Sequence, residues 1–255
     1  MTGIVINNNE YTVSTGSNKI EYSSTGNSVS YSIYGGDIPA NPVIKEYTFL
    51  SDTTIHLGAG KYRICAIGGG ASGLVNSIKT SSGVTLYLYS GCTGGYLVIE
   101  GDLEEGDYTI DIGFNGTGCA YYLPDDAGTK DFKRYYRTGY ATTMTGPKGQ
   151  IFWVTGGTTP QSPPSGDSIA TYSNFTLISR DIKYSTNSLM KYTSINQSSA
   201  SGTKEGLAGF SDYNGLLEGT FGDGGGSSCN VYNKRNGSFS VSGGTPGVVT
   251  MRKIG

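Results

Sequence analysis

The sequence predicts an all-β protein: a glycine-rich, β-sandwich-like body with a small N-terminal β appendage. Three observations carry that expectation. The chain holds 41 glycines in 255 residues, where an average composition gives roughly 18. Short β-branched and aromatic runs alternate between the glycine clusters, as strands do. No segment keeps a 3.6-residue apolar period over ten residues, so helix content is expected to be low. Each ordered glycine gives up about 0.5–1 kcal/mol of extra backbone entropy relative to alanine, so a surplus of about 23 opposes folding by on the order of 10–20 kcal/mol. Such a chain is either disordered or packs main chain against main chain. Disorder goes with few aromatics and high net charge. This chain has 11% aromatics, 20 tyrosines and a net charge of −2, so an ordered, backbone-packed protein is expected.

Along the chain, residues 1–46 are rich in Ser, Thr, Asn and Tyr and end at Asp37-Ile-Pro-Ala-Asn-Pro, where two prolines mark a linker. They are expected to form two or three short strands and to act as an attachment segment. The second domain, 47–255, opens near Ile44-Lys-Glu-Tyr-Thr-Phe-Leu. Its strands are expected at 45–50, 53–56, 61–67, 84–89, 95–100, 107–113, 150–155 and 247–253. Residues 120–148, with their tyrosines and basic side chains, read as an excursion from the sheet. Residues 158–204 read as a polar stretch with weak strand signals near 168–178.

Charge and hydropathy exclude several classes. A near-neutral chain lacks the lysine and arginine surplus that phosphate contact needs. No apolar run is long enough for a spanning helix. The start, Met-Thr-Gly-Ile-Val-Ile-Asn-Asn-Asn, has neither the basic nor the apolar region of a secretory signal, so synthesis in a cytosol is expected. Cys65, Cys92, Cys119 and Cys229 form no C-x-x-C pair, so zinc has no support and reduced, mostly buried thiols are the default. Neither a cofactor nor a metal is expected.

One motif invites a different reading. Tyr62-Arg-Ile-Cys-Ala-Ile-Gly-Gly-Gly-Ala-Ser-Gly places glycines at 68, 70 and 73 after a strand, the layout of a dinucleotide-binding turn. The following Ala71-Ser-Gly-Leu-Val-Asn-Ser-Ile-Lys is poor in helix formers. The position some 20 residues on, where an acidic ribose ligand belongs, falls near Ser90. A strand running into a backbone-packed glycine turn is the expectation.

An ordered set of motifs then points to a family. Gly58-Ala-Gly-Lys-Tyr-Arg-Ile-Cys-Ala-Ile-Gly-Gly-Gly is followed by Gly94-Gly-Tyr-Leu-Val-Ile-Glu, Gly222-Asp-Gly-Gly-Gly-Ser-Ser and finally Gly243-Gly-Thr-Pro-Gly-Val-Val. Over about residues 45–255 this order resembles the glycine-rich domains of tailed-bacteriophage tail-fibre and tail-tip adhesins. The resemblance implies a β-structured base whose glycine segments stack as extended helices of three residues per turn, by the logic of collagen's crowded axis. A plainer sandwich or jelly roll is the alternative architecture. Gly68, Gly69, Gly70, Gly73, Gly222, Gly224, Gly225, Gly226, Gly243, Gly244 and Gly247 are the structural glycines on this reading. The implied role is a non-enzymatic receptor-binding protein of the virion tail, assembled in the host cytoplasm. Its implied partners are a bacterial surface receptor (glycan or outer surface protein) and other tail or baseplate proteins, with a homotrimer as the assembly that would raise avidity.

Recognition residues are sought among rigid, amphipathic side chains. Tyr121, Tyr122, Lys133, Arg134, Tyr135, Tyr136, Arg137 and Tyr140 mix tyrosines with cations, and Trp153 follows within one strand. The mixture suits stacking on sugar rings with charge contacts to anionic glycans; packing as aromatic staples is the competing reading. The loop after Thr158, with Pro160, Pro163 and Pro164, is a second candidate. Catalysis finds little purchase. His56, the one histidine, lies in an alternating strand, and no nucleophile–base set forms around it. The acidic group Glu100, Asp102, Glu104, Glu105 and Asp107 lacks calcium-loop spacing. A structural baseplate or head-decoration protein and a glycan-degrading tail enzyme are the rival functions.

Overall fold

The computed structural model describes residues 2–6, 9–13, 20–24, 27–31, 46–123, 131–194, 199–232 and 236–255. The chain divides after Ile44 into a small unit and a body. In the small unit β1 (Thr2–Ile6) pairs antiparallel with β2 (Asn9–Val13), and β3 (Ile20–Ser24) with β4 (Asn27–Tyr31).

The body is all-β. Its strands run β5 (Glu46–Phe49), β6 (Thr53–Leu57), β7 (Gly60–Ile67), β8 (Leu74–Thr80), β9 (Gly83–Tyr89), β10 (Tyr96–Leu103) and β11 (Gly106–Asp111). They continue as β12 (Cys119–Leu123), β13 (Asp131–Tyr135), β14 (Thr142–Gly146), β15 (Gly149–Val154), β16 (Ala170–Tyr172) and β17 (Thr176–Asp181). The last are β18 (Leu189–Ser194), β19 (Ser199–Lys204), β20 (Ser227–Tyr232), β21 (Asn236–Val241) and β22 (Val248–Lys253). The helical structure among the described residues is one 3₁₀ turn, Gly166–Ser168.

These strands make two sandwiches. In the first, the sheet β17-β10-β7-β22-β5 faces the sheet β16-β15-β14-β11-β6. Ile64, Leu97, Ile99 and Met251 from one sheet share a core with Tyr108, Ile110, Met144 and Phe152 from the other. Each such side chain taken out of water contributes about 1.5–3 kcal/mol. In the second, β13-β8-β9-β18 faces β12-β21-β20-β19. There Val75, Leu86 and Leu88 meet Val231, Phe239 and Val241. The stretch 120–148, expected to leave the sheets, instead supplies β12, β13 and β14. Its polarity is that of edge strands, because β12 and β13 each close one side of a second-sandwich sheet. Likewise 158–204 supplies β16 to β19.

Between the sandwiches the chain is extended yet belongs to no sheet. Segments 68–73, 90–95, 112–118, 136–141, 182–188 and 242–247 each join a strand of one sandwich to a strand of the other. The central one is 68–73. Gly68, Gly69 and Gly70 donate their N–H groups to Gly95, Tyr140 and Thr245 of three different segments. Ala71, Ser72 and Gly73 then repeat the order, donating to Cys92, Arg137 and Ser242. A bonding direction that returns every third residue is that of a helix with three residues per turn and no internal hydrogen bonds. Three further segments donate to it, through Gly157 to Gly69, Gly116 to Gly70 and Gly225 to Ala71. Six rods therefore surround one. The ring closes on itself, because each neighbouring pair is bonded too: Gly95 to Thr155, Gly139 to Gly157, Tyr140 to Phe114, Gly244 to Gly116, Thr245 to Asp223, and Gly94 to Gly222.

This packing states why glycine is required. A Cβ on Gly70 would overlap the carbonyl of Asp223, and one on Gly94 the carbonyl of Gly68. All eleven structural glycines named above would press a Cβ into the main chain of another segment. Gly222 is doubly constrained, since its φ is 66°, a left-handed conformation that favours glycine. The glycine spacing at 68, 70 and 73 thus belongs to the central rod, and the residues that would open a nucleotide-binding helix form β8.

Candidate functional site: side chains displayed on the glycine array

In a rod packed against its neighbours, a bulky side chain fits only in a row that faces solvent. Segment 136–141 lies on the array's surface. Its Gly139 is pressed against the carbonyl of Gly69 on the central rod. The carbonyls of Arg137 and Tyr140 turn inward to accept from Ser72 and Gly69, and the Arg137 N–H donates to Ser72 Oγ at 2.7 Å. Arg137 and Tyr140, three residues apart, consequently share a row spaced by about 9 Å along the rod. Both are exposed, Tyr140 to 64%. On the adjacent rod Phe114 is 65% exposed; its carbonyl accepts the Tyr140 N–H at 2.8 Å. Tyr136, at the junction with β13, is 37% exposed. Two large rings and a guanidinium are thereby carried outward on rods whose backbones are hydrogen-bonded to the array.

The other candidates separate from this strip. Tyr121 and Tyr135 are half-buried and pack together in the second sandwich. Their centroids are 4.2 Å apart, and lie 5.3 and 4.6 Å from that of Phe239. Aromatic triplets at these separations hold two sheets together. The Tyr121 hydroxyl lies 3.0 Å from the Cys119 thiol, and that neighbour, with burial, raises the Tyr121 pKa. Tyr122, Lys133 and Arg134 lie on β12 and β13, but their side chains fall outside the described residues, as do Asp125 and Asp126. Trp153 is half-buried on β15, opposite Thr143 and Thr171. The Pro160–Pro164 loop returns rod 155–159 to the first sandwich, with Ser162 donating to the Thr159 carbonyl.

Phe114 was not among the residues singled out from the sequence, though a signal existed. It sits in Gly113-Phe-Asn-Gly, and a ring flanked by rod-forming glycines has only the outward row to occupy.

The carboxylates of the first sandwich are dispersed over basic partners. Glu100 meets Arg63 at 2.6 Å, Glu104 meets Lys148 at 2.5 Å, and Asp107 meets His56 at 2.8 Å. Among the described residues no trio of His, Cys, Asp or Glu is placed to hold a metal ion. The four thiols are unpaired; burial pushes Cys65 up to about 12 and Cys92 to about 11. No protein-family model matches this chain, and a search of curated proteins returns no match.

Proposed function

We propose that the chain is a receptor-binding protein of a bacteriophage tail-fibre tip, attaching the virion to a bacterial surface without cleaving what it binds. The observation that carries the reading is the pair Phe114 and Tyr140, 65% and 64% exposed on neighbouring, mutually bonded rods. Rings left in water on a backbone that cannot adapt are pre-organised, so little ordering entropy opposes a partner's arrival. With Arg137 in the same row, the strip suits stacking on sugar rings beside an anionic group. The order of glycine motifs that resembles tail-tip adhesins supports the same reading, and the small N-terminal unit is its natural attachment piece.

The test is adsorption of the purified chain to host cells. Replacing Phe114, Arg137 and Tyr140 together by serine is expected to lower adsorption by about a hundredfold while leaving thermal unfolding unchanged, as removal of solvent-exposed anchors does. Unchanged adsorption would remove the strip from the receptor site. Incubation with host surface polysaccharide is expected to leave its chain length unaltered.

A further inference from the structure

Residues 223–226 of rod 221–226 line an open groove of about 570 Å³, together with residues 205–208 and with Ser242, Gly243 and Thr245. At its far end the groove runs onto the outer face of the second sandwich, where Thr203, Ser228 and Ser240 stand opposite one another in register. Ser228 and Ser240 hydroxyls are 2.8 Å apart. Such a volume lies within the range of small-ligand sites, roughly 300–1,000 Å³.

The chemistry of the lining decides what fits. One occupant to consider is another extended peptide, continuing the array. The rod refuses it. Every N–H from Phe221 to Gly226 is already satisfied, by Phe210, Pro246, Leu207 and Ala71 carbonyls and by two side chains. Those two are Thr245 Oγ1, which accepts from the Asp223 N–H at 2.7 Å, and Ser242 Oγ, which accepts from Gly226 at 2.7 Å. Hydroxyls have taken the directions in which a further rod would bond. A phosphate-rich partner is equally disfavoured, because Glu205 and Asp223 outnumber Lys204 in the lining. Beside Leu207, Ala208 and glycine main chain, the lining offers the hydroxyls of Thr203, Ser228 and Ser240 and two carboxylates, and no aromatic ring lines it.

We infer that this groove is a binding site for a short neutral saccharide, held by its hydroxyl edges through Ser228, Ser240, Thr203 and the carboxylates of Asp223 and Glu205. The site is separate from the Phe114–Tyr140 strip and does not depend on the attachment reading. Without a stacking platform each contact is weak, so its effect grows where several copies are presented together.

The experiment displays neutral oligosaccharides of glucose, galactose and N-acetylglucosamine to the full chain, then measures the best binder by saturation-transfer NMR and titration. Thr203 is exposed on the edge strand β19, so Thr203→Tyr occludes the groove without disturbing the rod. It is expected to abolish the transfer signal. Asp223→Asn keeps an acceptor for the Gly209 N–H, which now bonds Asp223 Oδ1 at 2.6 Å, and is expected to weaken binding about tenfold through loss of charge-assisted bonds. Absence of any bound oligosaccharide overturns the inference. So does binding that survives both substitutions, including the case where Phe114→Ser with Tyr140→Ser removes it, which would leave the attachment reading standing. A glycine-repeat peptide displacing the sugar would show that the rod accepts main chain after all, and would also overturn it.

Discussion

At Gly70 one hydrogen atom decides whether the array can close. Its replacement by a methyl group meets the carbonyl of Asp223, a main-chain atom fixed by its own bond from Thr245. Relief requires two rods to separate, so Gly70→Ala is expected to destabilise the body by about 3 kcal/mol, the upper part of the range for overpacking. Gly58 makes a control of the same chemistry: a Cβ there meets nothing within 4 Å. Gly58→Ala is expected to stay within about 0.5 kcal/mol of the parent. Urea unfolding of both variants checks the pair; a Gly70→Ala chain as stable as Gly58→Ala would mean that close approach does not explain the glycine at 70. At this scale the sequence was informative. Clustered glycines announced main-chain contact, and the eleven positions chosen for it all make such contacts. Which tyrosines face water was not legible, because Tyr121 and Tyr140 occur in similar company and differ only in lying on a core-facing strand or an outward rod.

The unit that recurs is strand, rod, strand, and its weak points are the outward N–H groups that no neighbouring rod can satisfy. Serine, threonine and aspartate side chains take that place. Asp52 accepts from the Ile112 N–H at 2.7 Å, and Thr142 Oγ1 accepts from Gly113 at 3.0 Å while donating to the Ile67 carbonyl at 2.7 Å. Thr142 is fully buried, so the isosteric Thr142→Val strands one donor and one acceptor. A loss of about 2–3 kcal/mol is expected from calorimetry or urea melts; a neutral result would show water replacing the hydroxyl. Across β6 and β11 a different pairing sets a pH response. His56 stands opposite Asp107, and the hydrogen bond to Asp107, ahead of the nearby Glu105, raises its pKa above the usual 6.5. The stabilisation of that contact is complete below 6.5 and is lost as pH rises through the elevated value. Both partners are well exposed, so the effect on stability is small. NMR titration of His56 should give a midpoint above 6.5 that falls in Asp107→Asn; an unaltered midpoint would sever the pair. Alternation made β7, β9, β10, β11 and β22 legible. It could not reveal β19, Ser-Ala-Ser-Gly-Thr-Lys, which carries no apolar pattern and is a strand because β20 pairs with it along its length. Nor could it separate rods from turns, since a rod's partners are all distant in sequence.

At the largest scale, the two sandwiches of the 45–255 unit, tied by rods that bond in every direction, should behave as one cooperative body, and amide exchange tests that directly. Sheets protect a strand from two sides. The central rod is held from six, with each of its N–H groups from Gly68 to Gly73 on a carbonyl of another segment and all six residues buried. No local opening releases those amides without breaking bonds to three rods, so they should exchange only through global unfolding, as slowly as the core strands β7 and β10. Segment 182–188, which meets the array at Lys183 by exchanging bonds with Thr93 and is exposed along most of its length beyond it, should exchange orders of magnitude faster. Lys183→Ala, which removes the ammonium from the Ala208 and Gly209 carbonyls, should loosen that contact without altering the centre. Were 68–73 to exchange as quickly as 182–188, the array would be a loose bundle of connections. Its surface rows could then no longer be treated as fixed mounts for Phe114, Arg137 and Tyr140.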